Sequence, residues 1–148
     1  MTANPLAATL ERGTIRVGYR TVDFESAVRG LLTQPLLERG VSGDAIDAII
    51  DSILRREEAG STSAGPLALP HARIQGIPEI VAGLGVNPDG IYPNSPTRVM
   101  VAFVSPVEAP GEHLRFLSLA AKTFRDGAFL QRVRAAESTS ALLALFRD

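Results

Sequence analysis

The chain has 148 residues, 45% of them hydrophobic and 21% charged, which suits one folded domain and excludes a disordered or collagen-like chain. Fifteen basic and 16 acidic residues leave a formal net charge of -1, which argues against a nucleic-acid partner held by broad phosphate neutralisation. With no Cys there is no disulfide, thiolate nucleophile, iron–sulfur cluster or sulfur-ligated zinc, and imidazole chemistry must pass through His71 or His113.

Residues 1–13 read as a flexible N-terminal arm and 14–148 as the domain. Ile15, Val17 and Tyr19 alternate as in a short strand. Phe24, Ala27, Val28, Leu31 and Leu32 then follow helical spacing behind Asp23, a capping residue, and Pro35 and Gly40 close or interrupt that element. A second helix should start near Ser42 or Asp44, bury Ile46, Ile49, Ile50, Ile53 and Leu54, and end at the charged RREE and Gly60. In GSTSAGPLALPH the glycines and prolines forbid a helix, so Leu67 to Leu69 is a short extended piece and His71 sits on a structured turn. Two strands are predicted at 79–86 and 98–104, the second of them central. Leu114, Leu117, Ala121 and Phe124 mark one face of a further helix, followed by shorter helices at 128–136 and 139–147. The fold class is α/β: a single-domain mixed β-sheet flanked by helices. The N-terminus carries no signal-peptide pattern and no apolar run reaches the ~18 residues of a membrane span, so a cytoplasmic chain without direct membrane insertion is expected.

Two histidines 42 positions apart, with no acidic cluster beside them, are a poor metal-ligand set. GSTSAG lacks the phosphate-loop pattern, and neither GxGxxG nor GxSxG occurs. His71 follows Pro70, so its backbone is pinned; its ring is either a projecting nucleophile or a half-buried imidazole satisfied by backbone groups. His113, in the first turn after Pro110, is either a neutral imidazole able to receive an anion or a cap at the core edge. Arg55, Arg56 and Arg73 offer forked anion contacts, although Arg55 and Arg56 beside Glu57 and Glu58 also suit a solvated helix end.

Taken in order, RREEAGST, LALPHAR, an apolar strand and GEHLRFLSLAAKTFRD resemble the fructose, mannitol and nitrogen-regulatory type IIA domain of the bacterial phosphoenolpyruvate-dependent sugar phosphotransferase system, across roughly Thr14 to Phe146. The resemblance implies that His71 is the phosphorylated histidine, that His113 is a second active-site imidazole, and that Arg56 with Glu57 is the family's arginine-glutamate step. Ser61, Thr62 and Gly65 fall in its supporting or phosphate-facing loop, and Arg73 falls where a partner would be met. It also implies attack through Nε2, with Nδ1 donating to a backbone carbonyl, and requires no cofactor and no metal.

The implied partners are a phosphohistidine carrier protein as donor and, as acceptor, a IIB domain or a regulated transporter, kinase or other regulatory target. One departure stands out: the family's loop resembles GIGNGIAI, whereas SAGPLAL here is one residue shorter and has Pro66 where a glycine is common. Either a phosphate-facing amide is lost, or the turn moves onto Gly65. The alternative function is therefore a regulatory interaction module of the nitrogen-regulatory type with little productive transfer.

Overall fold

A computed structural model describes residues 4–147. It has six helices and five strands: α1 (Pro5–Glu11), β1 (Thr14–Val17), α2 (Phe24–Glu38), α3 (Gly43–Ala59), β2 (Leu67–Ala68), β3 (His71–Ile74), β4 (Val81–Val86), β5 (Val99–Pro106), α4 (Pro110–Arg125), α5 (Gly127–Arg134) and α6 (Thr139–Leu145).

All five strands form one mixed sheet in the order β1-β4-β5-β2, with β3 also on β5. β4 and β5 are antiparallel, and the other pairings are parallel. The central placing of β5 agrees with its unbroken apolar run, buried from Val99 to Pro106. β2 and β3 lie end to end along the same side of β5 in one register, Leu67 opposite Val99 and His71 opposite Phe103. The gap between them is Leu69–Pro70, where proline has no N–H to give; the Pro70 carbonyl still accepts from Phe103 N at 3.0 Å. His71 is thus the first residue of a strand, not part of a turn, because the register resumes immediately after the proline.

Alternation along β5 divides the core in two. Met100, Ala102 and Val104 face α2 and α3 in one apolar cluster. Val99, Val101 and Phe103 face α1, α4, α5 and α6 in the other. The helices begin where the sequence offers caps: Asp23 accepts from Ser26 N at 2.8 Å, and Ser42 Oγ accepts from Ala45 N at 3.2 Å.

Three further expectations are corrected. The first three residues of the expected arm lie outside the described residues, but Pro5–Glu11 is a helix. Asn4 Oδ1 accepts from Leu6 N and Ala7 N, Pro5 opens the first turn, and Leu6 and Leu10 are wholly buried. The apolar positions i and i+4 of a seven-residue helix are enough to dock it on the sheet. Second, Pro35 does not end α2 but lies inside it. It lacks the N–H that Leu31 O would otherwise accept, and there the helix rests directly on β4: a Cβ on Gly83 would stand 2.5 Å from Leu31 O.

Third, α4 buries His113, Phe116, Ala120 and Phe124, while Leu114 is 62% exposed. Two apolar stripes one residue apart compete on this helix. The winning one seats Phe116 on Phe103, ring centroids 4.6 Å apart, and an aromatic side chain buries more area than Leu114 would. This phase turns His113 inward.

Candidate functional site

The parity that sends Phe103 toward α4 also sends Ser105 there, and the register sets His71 beside Phe103 and Arg73 beside Ser105. α4 crosses above them and lowers His113 onto the group. The His71 ring stacks on Phe103 with centroids 5.0 Å apart and planes 14° from parallel. His113 lies 5.2 Å from His71 and 5.5 Å from Phe103. Both imidazoles are buried, at 5% and 7% exposure.

Each ring is held by its Nδ1. His71 Nδ1 donates to the Leu69 carbonyl at 2.7 Å. A carbonyl only accepts, so the neutral His71 ring carries its proton on Nδ1 and presents the lone pair of Nε2. His113 Nδ1 shares a hydrogen bond with the buried Ser105 Oγ. Burial is the main reason both imidazoles stay below the ordinary histidine range. For His71, the Leu69 hydrogen bond opposes that effect, the Arg56 charge adds to it and the Glu57 charge opposes it. For His113, the neighbouring His71, Arg73 and Arg56 all push the same way. Both rings are therefore neutral at pH 7.

Arg56, in the last turn of α3, is exposed and donates through Nη1 to the Gly60 carbonyl at 2.9 Å. Its neighbour Arg55 instead pairs with Asp51 along the helix at 3.4 Å, the ordinary arrangement of a solvated helix end. Glu57 organises the loop. Its Oε1 accepts from Ser61 Oγ at 2.8 Å and from Thr62 N at 3.0 Å, and its Oε2 accepts from Thr62 Oγ1 at 2.8 Å. The hydroxyl protons of Ser61 and Thr62 are thus spent inside the loop, where these residues support its shape.

The shortened loop closes as a tight turn on Gly65. Ala64 and Leu67 exchange both backbone hydrogen bonds, at 2.8 and 3.1 Å, around Gly65 and Pro66. Gly65 has φ +58°, a left-handed conformation that a residue with a Cβ adopts at a cost. The Pro66 carbonyl accepts from Arg98 N and Val99 N, which anchors the turn to the start of β5. The turn that accommodates Pro66 thus falls on Gly65.

The residues singled out from the sequence therefore form a candidate site in two parts. His71 and His113 meet on one face of the sheet end, the charge of Arg56 reaches both rings and that of the exposed Arg73 reaches His113. Glu57, Ser61, Thr62 and Gly65 build the loop leading into it. Sequence reasoning missed Ser105 and the stacking role of Phe103. The only signal for either was parity along β5, and that becomes useful only with the register against β3 in hand. Among the described residues no three His, Asp or Glu side chains gather as metal ligands, and no helix is long and apolar enough to cross a membrane.

A mixed sheet between helical layers, with two neutral imidazoles at its end, accords with one class of protein. Residues 11–148 match the family described as the EIIA 2 component of the phosphoenolpyruvate-dependent sugar phosphotransferase system, and the chain belongs to that family. Among particular relatives, it is 30% identical over 106 residues to a "Nitrogen regulatory protein" of Escherichia coli (strain K12), a match spanning 68% of this chain and 65% of the relative's length. A protein of the same description from Klebsiella oxytoca is 29% identical over the same length. Among solved structures, the nitrogen regulatory protein IIA-Ntr of Neisseria meningitidis superposes with a TM-score of 0.71 at 23% identity, covering 96% of this chain and 94% of that one. The mannitol IIA of Escherichia coli gives 0.70 at 16% identity, covering 99% of both. At these identities the structural likeness concerns the fold.

Proposed function

We propose that the chain is a phosphoryl carrier that takes the group from a phosphohistidine carrier protein onto Nε2 of His71. The observation that carries this reading is the Leu69 carbonyl on His71 Nδ1, which leaves a neutral ring with its lone pair on the other nitrogen. In the transfer, the P–N bond to the donor histidine breaks as the P–Nε2 bond to His71 forms. The donor nitrogen keeps the bonding pair, and the His71 proton stays on Nδ1, hydrogen-bonded to the Leu69 carbonyl. The neutral His113 ring and the guanidinium of Arg56 stabilise the peripheral oxygens, whose charge is spread in a loose, in-line transition state. Arg73, exposed two residues beyond His71 and paired with Ser105, suits an anionic patch on a partner.

Where the phosphoryl goes next has two readings. It passes to a IIB domain, as the mannitol IIA of Escherichia coli forms a complex with its phosphorylated IIB, or it serves as a mark that changes binding to a regulatory target. The curated relatives are described as nitrogen regulatory proteins, which favours the second. Incubation with a radiolabelled phosphohistidine carrier tests the shared first step. Acid-labile, base-stable label on wild type and none on His71→Ala is the expected result, and unlabelled wild type overturns the proposal.

A further inference from the structure

The buried Ser105 hydroxyl has no place in the transfer as written, yet it is wholly enclosed and has a hydrogen to dispose of. Among the described residues the one hydrogen-bond partner of its Oγ is Nδ1 of His113. If Nδ1–H donated to Ser105 Oγ, the serine hydrogen would remain buried without an acceptor, the arrangement that folded proteins avoid. If Ser105 donates, both groups are satisfied, Nδ1 is the bare nitrogen and the proton of the neutral ring lies on Nε2.

We infer that Ser105 is a positioning residue that fixes His113 as the Nε2–H tautomer, so that His113 meets a phosphoryl oxygen as a neutral hydrogen-bond donor. This rests on the phosphoryl-carrier reading. The two imidazoles are then complementary: a carbonyl on Nδ1 makes His71 a lone-pair ring at Nε2, and a hydroxyl on Nδ1 makes His113 a donor ring at Nε2. Ser105 and His71 occupy the same face of adjacent paired strands, with Ser105 two residues beyond Phe103, the partner of His71. The sheet register that seats the nucleophile therefore also seats the group that sets its neighbour's proton. A neutral donor stabilises charge that develops on the oxygens without binding the product so firmly that onward transfer is blocked.

The test is nitrogen-15 resonance on histidine-labelled protein at a pH where both rings are neutral, together with transfer from the phosphorylated carrier. In wild type, His113 should show a protonated Nε2 and a bare Nδ1. Ser105→Ala should move it to a mixture of tautomers and slow phosphoryl acceptance at least tenfold, while His71 keeps its Nδ1–H form. Ser105→Thr, which restores the hydroxyl, should recover the wild-type tautomer and most of the rate. A wild-type His113 protonated on Nδ1, or a Ser105→Ala protein whose His113 tautomer is unchanged, overturns the inference. If wild type accepts no phosphoryl group, the carrier reading fails, and the tautomer measurement still decides the role of Ser105.

Discussion

His71 and His113 lie with ring centroids 5.2 Å apart, and each has Nδ1 engaged by a group of a different kind, a backbone carbonyl for one and a serine hydroxyl for the other. Neither ring is free to turn, and what both offer to a ligand is Nε2. On the phosphoryl-carrier proposal, the incoming group would meet a nucleophile in one ring and a hydrogen-bond donor in the other.

Replacing His113 tests the donor half of that arrangement. His113→Ala should still be labelled on His71, because the nucleophile and its Leu69 contact are untouched. The rate should fall by about 10²–10³, the usual cost of losing one preorganised donor to a developing negative charge. Rapid-quench measurement of label uptake reads it directly, and an unchanged rate removes His113 from the transition state.

Acid should weaken both chemistry and fold. Burial holds both imidazoles below the ordinary histidine value of about 6.5, so uptake should stay constant as pH falls through that value and decline only below it. The unfolded chain takes up protons first, because its histidines have the higher pKa. The stabilisation tied to the neutral buried rings is therefore complete above about 6.5 and is lost as pH falls from there through the lower folded-state values. Denaturant midpoints measured from pH 7.5 to 5 should drop for wild type and drop less for a His71→Gln, His113→Gln double variant. Equal slopes for the two proteins would contradict this.

Glu57 should matter through the loop. It accepts three hydrogen bonds from Ser61 and Thr62, so Glu57→Ala should speed hydrogen exchange at the Thr62 amide and slow phosphoryl uptake, with the rest of the exchange pattern unchanged. Exchange at Thr62 as slow as in wild type would show that the turn at Gly65 holds the loop by itself.

Much of this was legible in the chain. Helical spacing placed α2 and α3 with their Asp23 and Ser42 caps, an unbroken apolar run marked β5 as central, and the Pro-His element pointed to His71. What was not legible depended on competition between near-equal local signals. On α4 two apolar stripes differ by one residue, and the choice was made by packing against Phe103 on β5, which decides whether His113 faces in or out. Ser105 reads as an ordinary polar strand end until the register of β5 against β3 is known. Pro35 marks a helix end in isolation, but Gly83 lets α2 approach the sheet and continue past it.

The short α1 helix offers a test of the same point. Leu10 is wholly buried against the sheet, so Leu10→Ala should cost about 2–5 kcal/mol in denaturant unfolding. A loss near zero would mean that this segment behaves as a loose arm after all.

The central claim is that the phosphoryl group resides on Nε2 of His71. The most direct measurement is phosphorus–nitrogen coupling in nitrogen-15 histidine-labelled protein after reaction with the phosphorylated carrier. The account predicts one phosphorus resonance coupled to Nε2 of His71, with His71 Nδ1 still protonated. Phosphorus on Nδ1, on His113, or on no histidine would contradict it.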